Sequence, residues 1–246
     1  MFIIAAMIAA VMSSAQAADL VSLATLAVQG AVVPLAREFE RESGHRVSLV
    51  FDTGPNLGRR VTAGETADVL IAPAAVVAQA LQDGRAVAGT RADIGRVAVG
   101  VAIPRGARRP DLSSVDAFKK ALLQADAVVY SQGTSGVYIE RLFRELGVAD
   151  AIAGKVVRLA NGVAAMERIA SSRANDIGFT MVSEVRIFED RGVALAGLLP
   201  PAIQSYTTYT AAVMTSSPNR AAAQAFVRHL TTPAAHAMLV STGWER

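Results

Sequence analysis

From Asp19 onward, short runs rich in β-branched apolar residues alternate with stretches whose apolar residues recur at helical spacing. Short apolar runs bounded by turn residues fit strands covered on both faces, and strands separated by helices must cross over, which favours parallel pairing. The expected strands are 20–24, 46–51, 69–72, 97–103, 127–130, 156–159, 176–180, 193–198 and 207–214. The chain is therefore expected to be α/β, each part a mainly parallel sheet flanked by helices.

The helical stretches carry their own punctuation. Over 30–43, Val32, Val33, Leu35, Ala36 and Phe39 form one stripe, Arg37, Glu38, Glu40, Arg41 and Glu42 lie largely opposite, and Gly44 supplies the stop. A second helix is expected from an N-cap at Asn56 to Gly64, and a third from Pro73 to just before Gly84. Further helices are expected at 114–124, 135–146, 161–172, 183–191, 219–230 and 233–242. Two composition breaks interrupt the alternation: 104–112, with Gly106, Pro110 and three arginines, and Pro200-Pro201. The strand and two helices after the second break are too few for a third domain. They are expected to return to the first lobe, giving one lobe of 19–100 with 206–246 and another of 101–205. Two crossing strands near 97–103 and 205–213 would join the lobes and leave a hinged cleft.

The N-terminus carries an apolar run of about 12 residues followed by Ser13, Ser14, Ala15, Gln16, Ala17 and Ala18. That is shorter than the roughly 20 residues needed to span a bilayer, and the small residues after it form an A-x-A signal. Export to the periplasm with cleavage near Ala17 or Ala18 is expected, although no Lys or Arg precedes the apolar run. The chain has no cysteine, so stability must come from packing, which suits a bacterial periplasm. The formal net charge is only +3, and its densest basic spots, Arg59-Arg60 and Arg108-Arg109, are not interleaved with aromatics. This argues against nucleic acid as a partner.

In an open α/β sheet, ligands sit at the carboxyl ends of strands, where helix N-termini present free N–H groups. Four segments fit that position: 25–30, with Thr25 and Ala27; 52–56, with Thr53, Gly54 and Asn56; 131–136, with Thr134, Ser135 and Gly136; and 160–163, with Asn161 and Val163. Each alone is an ordinary helix cap. Together, two per lobe, they would surround a small anion with amides, hydroxyls and helix dipoles without a full positive charge.

Catalytic patterns are missing. There is no G-x-S-x-G elbow, P-loop or H-E-x-x-H, and His45, His229 and His236 do not form a metal set. An acid, base or metal cluster at the four loops would indicate an enzyme acting on a small acid, but Asp52 alone does not make one. Neither enzymatic activity nor a cofactor is expected. Tyr206 and Tyr209 alternate with threonines on a crossing strand, where one could face the cleft, though core packing is the commoner fate. Trp244 is expected to staple the last helix. The scarcity of aromatics disfavours a sugar, which usually needs stacking faces.

Several segments carry a family resemblance. The segments 34–40 with Gly44, and Ala63-Gly64-Glu65-Thr66-Ala67-Asp68-Val69 running on to Ala72, are similar to the first lobe of periplasmic molybdate-binding proteins. Residues 133–138, 161–165, 176–179 and 225–243 resemble that family's later motifs, so the likeness spans essentially the whole mature chain. It implies a two-lobed type II periplasmic binding fold, capture of a molybdate-like oxyanion and an ABC transporter permease as partner; the chain itself is expected to be a monomer. Carried over, the family's ligand positions fall near Ala27, at Gly54 beside Thr53, at Ser135 and Val163, and near Met181. Where the family has two serines and a tyrosine, this chain has Ala27, Gly54 and Met181. Three missing hydroxyl donors around a buried dianion forgo roughly 1.5–3 kcal/mol each. Thr25, Thr53, Asn56, Thr134, Thr180 and Ser183 could rebuild the pocket for a carboxylate or another oxyanion. A ligand-sensing domain of the same fold is the alternative to a transport receptor, although an export signal stands where a DNA-binding helix-turn-helix would be expected.

Overall fold

A computed structural model describes residues 17–245, so most of the expected export signal lies outside the described residues. The strands are β1 (Asp19–Thr25), β2 (Arg46–Asp52), β3 (Val69–Pro73), β4 (Ala92–Pro104), β5 (Val128–Ser131), β6 (Val156–Leu159), β7 (Ile177–Met181), β8 (Val193–Leu198) and β9 (Tyr206–Val213). The helices are α1 (Gln29–Ser43), α2 (Gly54–Thr62), α3 (Ala74–Gln82), α4 (Val115–Gln124), α5 (Thr134–Glu145), α6 (Ala149–Ile152), α7 (Gly162–Ser171), α8 (Val182–Phe188), α9 (Arg220–His229) and α10 (Pro233–Ser241).

The sheet runs β2-β1-β3-β9-β4-β7-β5-β6, with β8 also on β4. Pairing is parallel across β2-β1-β3 and across β7-β5-β6. The centre is antiparallel: β9 runs against β3 and β4, and β4 runs against β7 and β8. Strands β3, β5 and β7 are buried along their whole lengths, as apolar strands with both faces covered should be, whereas edge strand β2 alternates. The 13-residue β4 is the longest strand; it pairs with β9 through its first half and with β7 and β8 through its second. The two halves of the fold are therefore joined by the β4–β9 ribbon, in the two-lobed arrangement expected.

Local chemistry moves two sequence expectations. Helix α2 starts earlier than expected because Thr53, not Asn56, is its N-cap. The Thr53 hydroxyl accepts from the Asn56 N–H at 3.4 Å, and Pro55 occupies the first turn. Trp244 does more than staple α10. Its buried ring lies 5.2 Å from that of Tyr209, and Glu245 bridges Arg96 of β4 through paired backbone hydrogen bonds. The C-terminal tail thus fastens to the crossing ribbon itself.

Candidate functional site

The carboxyl ends of β1, β2, β5 and β7 converge on one cleft. Its walls are Thr25, Leu26 and Ala27 after β1, Thr53 and Gly54 after β2, and Ser131, Gly133, Thr134 and Ser135 after β5. Gly162 opens α7, Met181 and Glu184 come from the β7–α8 junction, and Tyr209 comes from β9. Of the residues singled out in the sequence, the cleft gathers Thr25, Ala27, Thr53, Gly54, Thr134, Ser135 and Met181. Asn56, Gly136, Asn161 and Val163 do not line it. The Asn56 side chain turns to Asp52 and Arg59, and that of Asn161 caps α7 by accepting from the Ala164 N–H at 2.9 Å. Val163 packs against the apolar cluster beneath α7. Gly136 lets α5 approach β5, since a Cβ there would run into the Ser131 carbonyl.

The two halves touch across this cleft. A Cβ on Gly54 would stand 2.6 Å from Thr134 Oγ1, and one on Gly133 would stand 3.9 Å from Thr53 Cγ2. The buried Ser183 hydroxyl donates to the Ala27 carbonyl at 2.7 Å, tying α8 to the turn after β1. The enclosed space is about 20 Å³, enough for a water-sized group. An anion of several atoms therefore requires the halves to part. Four surface hollows are larger: about 600 Å³ between α2 and α3, about 560 Å³ beside Arg108, Arg109 and Lys120, about 560 Å³ beside Gly95 and His236, and about 380 Å³ between Gly30, Arg186 and Gly243. Only the last receives residues from both halves, and none gathers all four strand-end segments.

Among the described residues, no Arg, Lys or His lines the cleft. Its donors are neutral: hydroxyls of Thr25, Thr53, Ser131, Thr134 and Ser135, and the first-turn N–H groups of α5 and α7, which lack intrahelical acceptors. The residue that sequence reasoning missed is Glu184. It is the third residue of α8, and its Oε2 accepts from the Met181 N–H at 3.4 Å, the return half of a capping box. In a sequence, a Glu in that position reads as an exposed cap. Here its residue is only 6% exposed, and Oε2 also accepts from the Thr180 hydroxyl. Burial raises its carboxyl above the ordinary range, outweighing the two hydrogen bonds that act the other way. Tyr209, fully buried beside it, is raised well above its ordinary value, first by burial and then by the charge of Glu184.

A two-lobed α/β molecule with its cleft at the strand ends and its halves joined by crossing strands is a type II periplasmic binding fold, the scaffold of proteins that capture small solutes. Residues 20–245 match the bacterial extracellular solute-binding protein family, and the chain belongs to it. It is 28% identical over 223 residues to an aconitate isomerase from Pseudomonas sp., covering 88% of this chain and 83% of that protein. Among solved structures it is similar to the periplasmic molybdate-binding protein of Azotobacter vinelandii, with a TM-score of 0.76 at 18% identity and coverage of 92% of this chain and 99% of the other. It is also similar to the periplasmic binding protein AfuA of Actinobacillus pleuropneumoniae, solved with fructose-6-phosphate bound, with a TM-score of 0.72 at 12% identity and coverage of 92% and 83%. At these identities the two structures establish the shared fold and nothing finer.

Proposed function

We propose that this protein captures a small organic acid in the periplasm and passes it to an ABC transporter permease. Its lobes, 19–100 with 206–246 and 101–205, would hinge at β4 and β9 and close on the acid. The observation that carries this reading is the lining of the cleft: neutral donors from both halves, no cation among the described residues, and one buried carboxyl, Glu184. A molybdate-like oxyanion fits less well. Ala27, Gly54 and Met181 line the cleft without hydroxyls, so the side-chain donors that the resemblance assigns to such an ion are missing at three positions. The relative named for aconitate, a tricarboxylic acid, supports an organic acid instead.

Calorimetric titration with trans-aconitate, citrate, malate, molybdate, tungstate, sulfate and phosphate tests this reading. Saturable one-to-one binding is expected for at least one carboxylate and not for molybdate. Binding is also expected to change the fluorescence of Trp244, the only tryptophan, because its ring lies 5.2 Å from the cleft-lining Tyr209. Tighter binding of molybdate or tungstate than of any carboxylate would overturn the ligand class. Binding of none of the seven would overturn anion capture.

A second reading has a specific observation behind it. Glu184 is a buried acid or base at the cleft, and the aconitate isomerase relative aligns along most of the chain. Isomerisation would move a proton from one carbon of a bound unsaturated acid to another while the double bond shifts, with no co-reactant. Deuterium uptake into trans-aconitate in heavy water, lost in Glu184→Gln, would support it. Uptake at the buffer rate would leave capture alone.

A further inference from the structure

Glu184 sits where a bound anion would arrive, yet nothing positive among the described residues faces it. Strands β7 and β8 carry no charged residue. On β4, Arg96 pairs with Glu245, and Asp93 accepts from Thr210. On α7, Arg168 pairs with Asp176 and Glu167 is exposed. On α8 itself Arg186 pairs with Glu189, and in the following turn Asp190 and Arg191 are exposed. The turn Leu26–Val28 is uncharged, and α1 meets α8 at Gly30, in a first turn without charge. The tail meets α8 at Gly243. The titratable neighbour that does face Glu184 is Tyr209.

The two carboxyl oxygens differ. Oε2 is held as an acceptor by both Thr180 and the Met181 N–H. Oε1 lies over Gly162, so close that a Cβ on that residue would overlap it, and Gly162 is itself a wall of the cleft. A proton on the carboxyl therefore belongs on Oε1, beside the ligand space. With the anion bound and Glu184 ionised, two like charges would share a desolvated cleft without a counter-ion. We propose that Glu184 enters the complex as a neutral acid that donates from Oε1 to the bound anion, so that above the pH at which free Glu184 ionises each anion captured brings one proton into the cleft. The proposal rests on the reading of the cleft as an anion site. It makes Glu184 a specificity-determining group, favouring carboxylates, whose oxygens accept a proton readily, over sulfate. The step is a protonation equilibrium: solvent supplies the proton, and no other bond forms or breaks.

The test is the dissociation constant of trans-aconitate from pH 7 to 9, where the ligand's own carboxyls are ionised. On the alkaline side of the free Glu184 ionisation, linkage of one proton predicts a Kd that rises about tenfold per pH unit. Titration in buffers of different ionisation enthalpy should count about one proton taken up there, a readout that needs no variant. In Glu184→Gln, a neutral side chain of the same shape, Kd should stay within about twofold across the range. Wild-type binding with a flat Kd and no proton uptake would overturn the proposal while leaving anion capture standing. Loss of binding in a folded Glu184→Gln at every pH would also overturn it, by showing that an ionised carboxylate is required. Failure of every acid and oxyanion to bind the wild type would remove the anion reading, and this proposal with it.

Discussion

Replacing Gly136 with Ala is expected to destabilise the protein by about 3 kcal/mol or more, although Ala is the better helix former. Helix propensity alone would favour the change by about 1 kcal/mol. The added methyl, however, would fall on the Ser131 carbonyl, an atom of the backbone that no rotamer change can move aside. The first turn of α5 would have to back away from β5, disturbing a strand buried along its whole length. Chemical denaturation of wild type and Gly136→Ala measures the difference directly. An equal or raised midpoint would mean that α5 does not approach β5 as closely as described.

A second substitution acts on closure rather than folding. In Gly54→Leu the side chain would start 2.6 Å from Thr134 Oγ1 across the cleft and 2.9 Å from the Pro73 ring. Thr53 and Asn56 would still cap α2, and no positive φ is demanded at position 54. The wedge should therefore hold the halves apart and weaken binding of the carboxylate identified by titration by at least about 100-fold, a loss of roughly 2.7 kcal/mol. The fold should remain cooperative in denaturant. Unchanged affinity would show that the ligand does not need the two halves in contact at Gly54 and Thr134.

The expected strands all appear in the structure because buried strands leave a strong mark: β3, β5 and β7 are short apolar runs between turn signals, and burial along their whole lengths is what such runs are suited to. The segments that form the cleft were legible for the same reason, since each follows a strand and opens a helix. What the residues in it do was less legible. Asn56 and Asn161 look like ligand donors in the sequence, but their side chains are engaged with Asp52 and Arg59 and with the Ala164 N–H. Glu184 has the opposite disguise: the signature of an exposed helix cap, buried because Gly162 of α7, Tyr209 of β9 and the turn after β1 close over it. Tyr209 serves both roles that sequence reading set against each other, packing at a tilt against Trp244 and lining the cleft. The antiparallel centre of the sheet was also hidden, because strand direction at β4 and β9 depends on which half each strand pairs with, and no local pattern encodes that.

Segments from both halves are proposed to form one anion site. Amide hydrogen exchange with and without saturating trans-aconitate tests it most directly. Slowed exchange is expected at Ala27, Gly54, Thr134, Ser135, Gly162 and Val163 together, since those helix starts supply the donors. Protection confined to one half, to the hollow between α2 and α3, or to the surface beside Arg108 and Lys120 would contradict it.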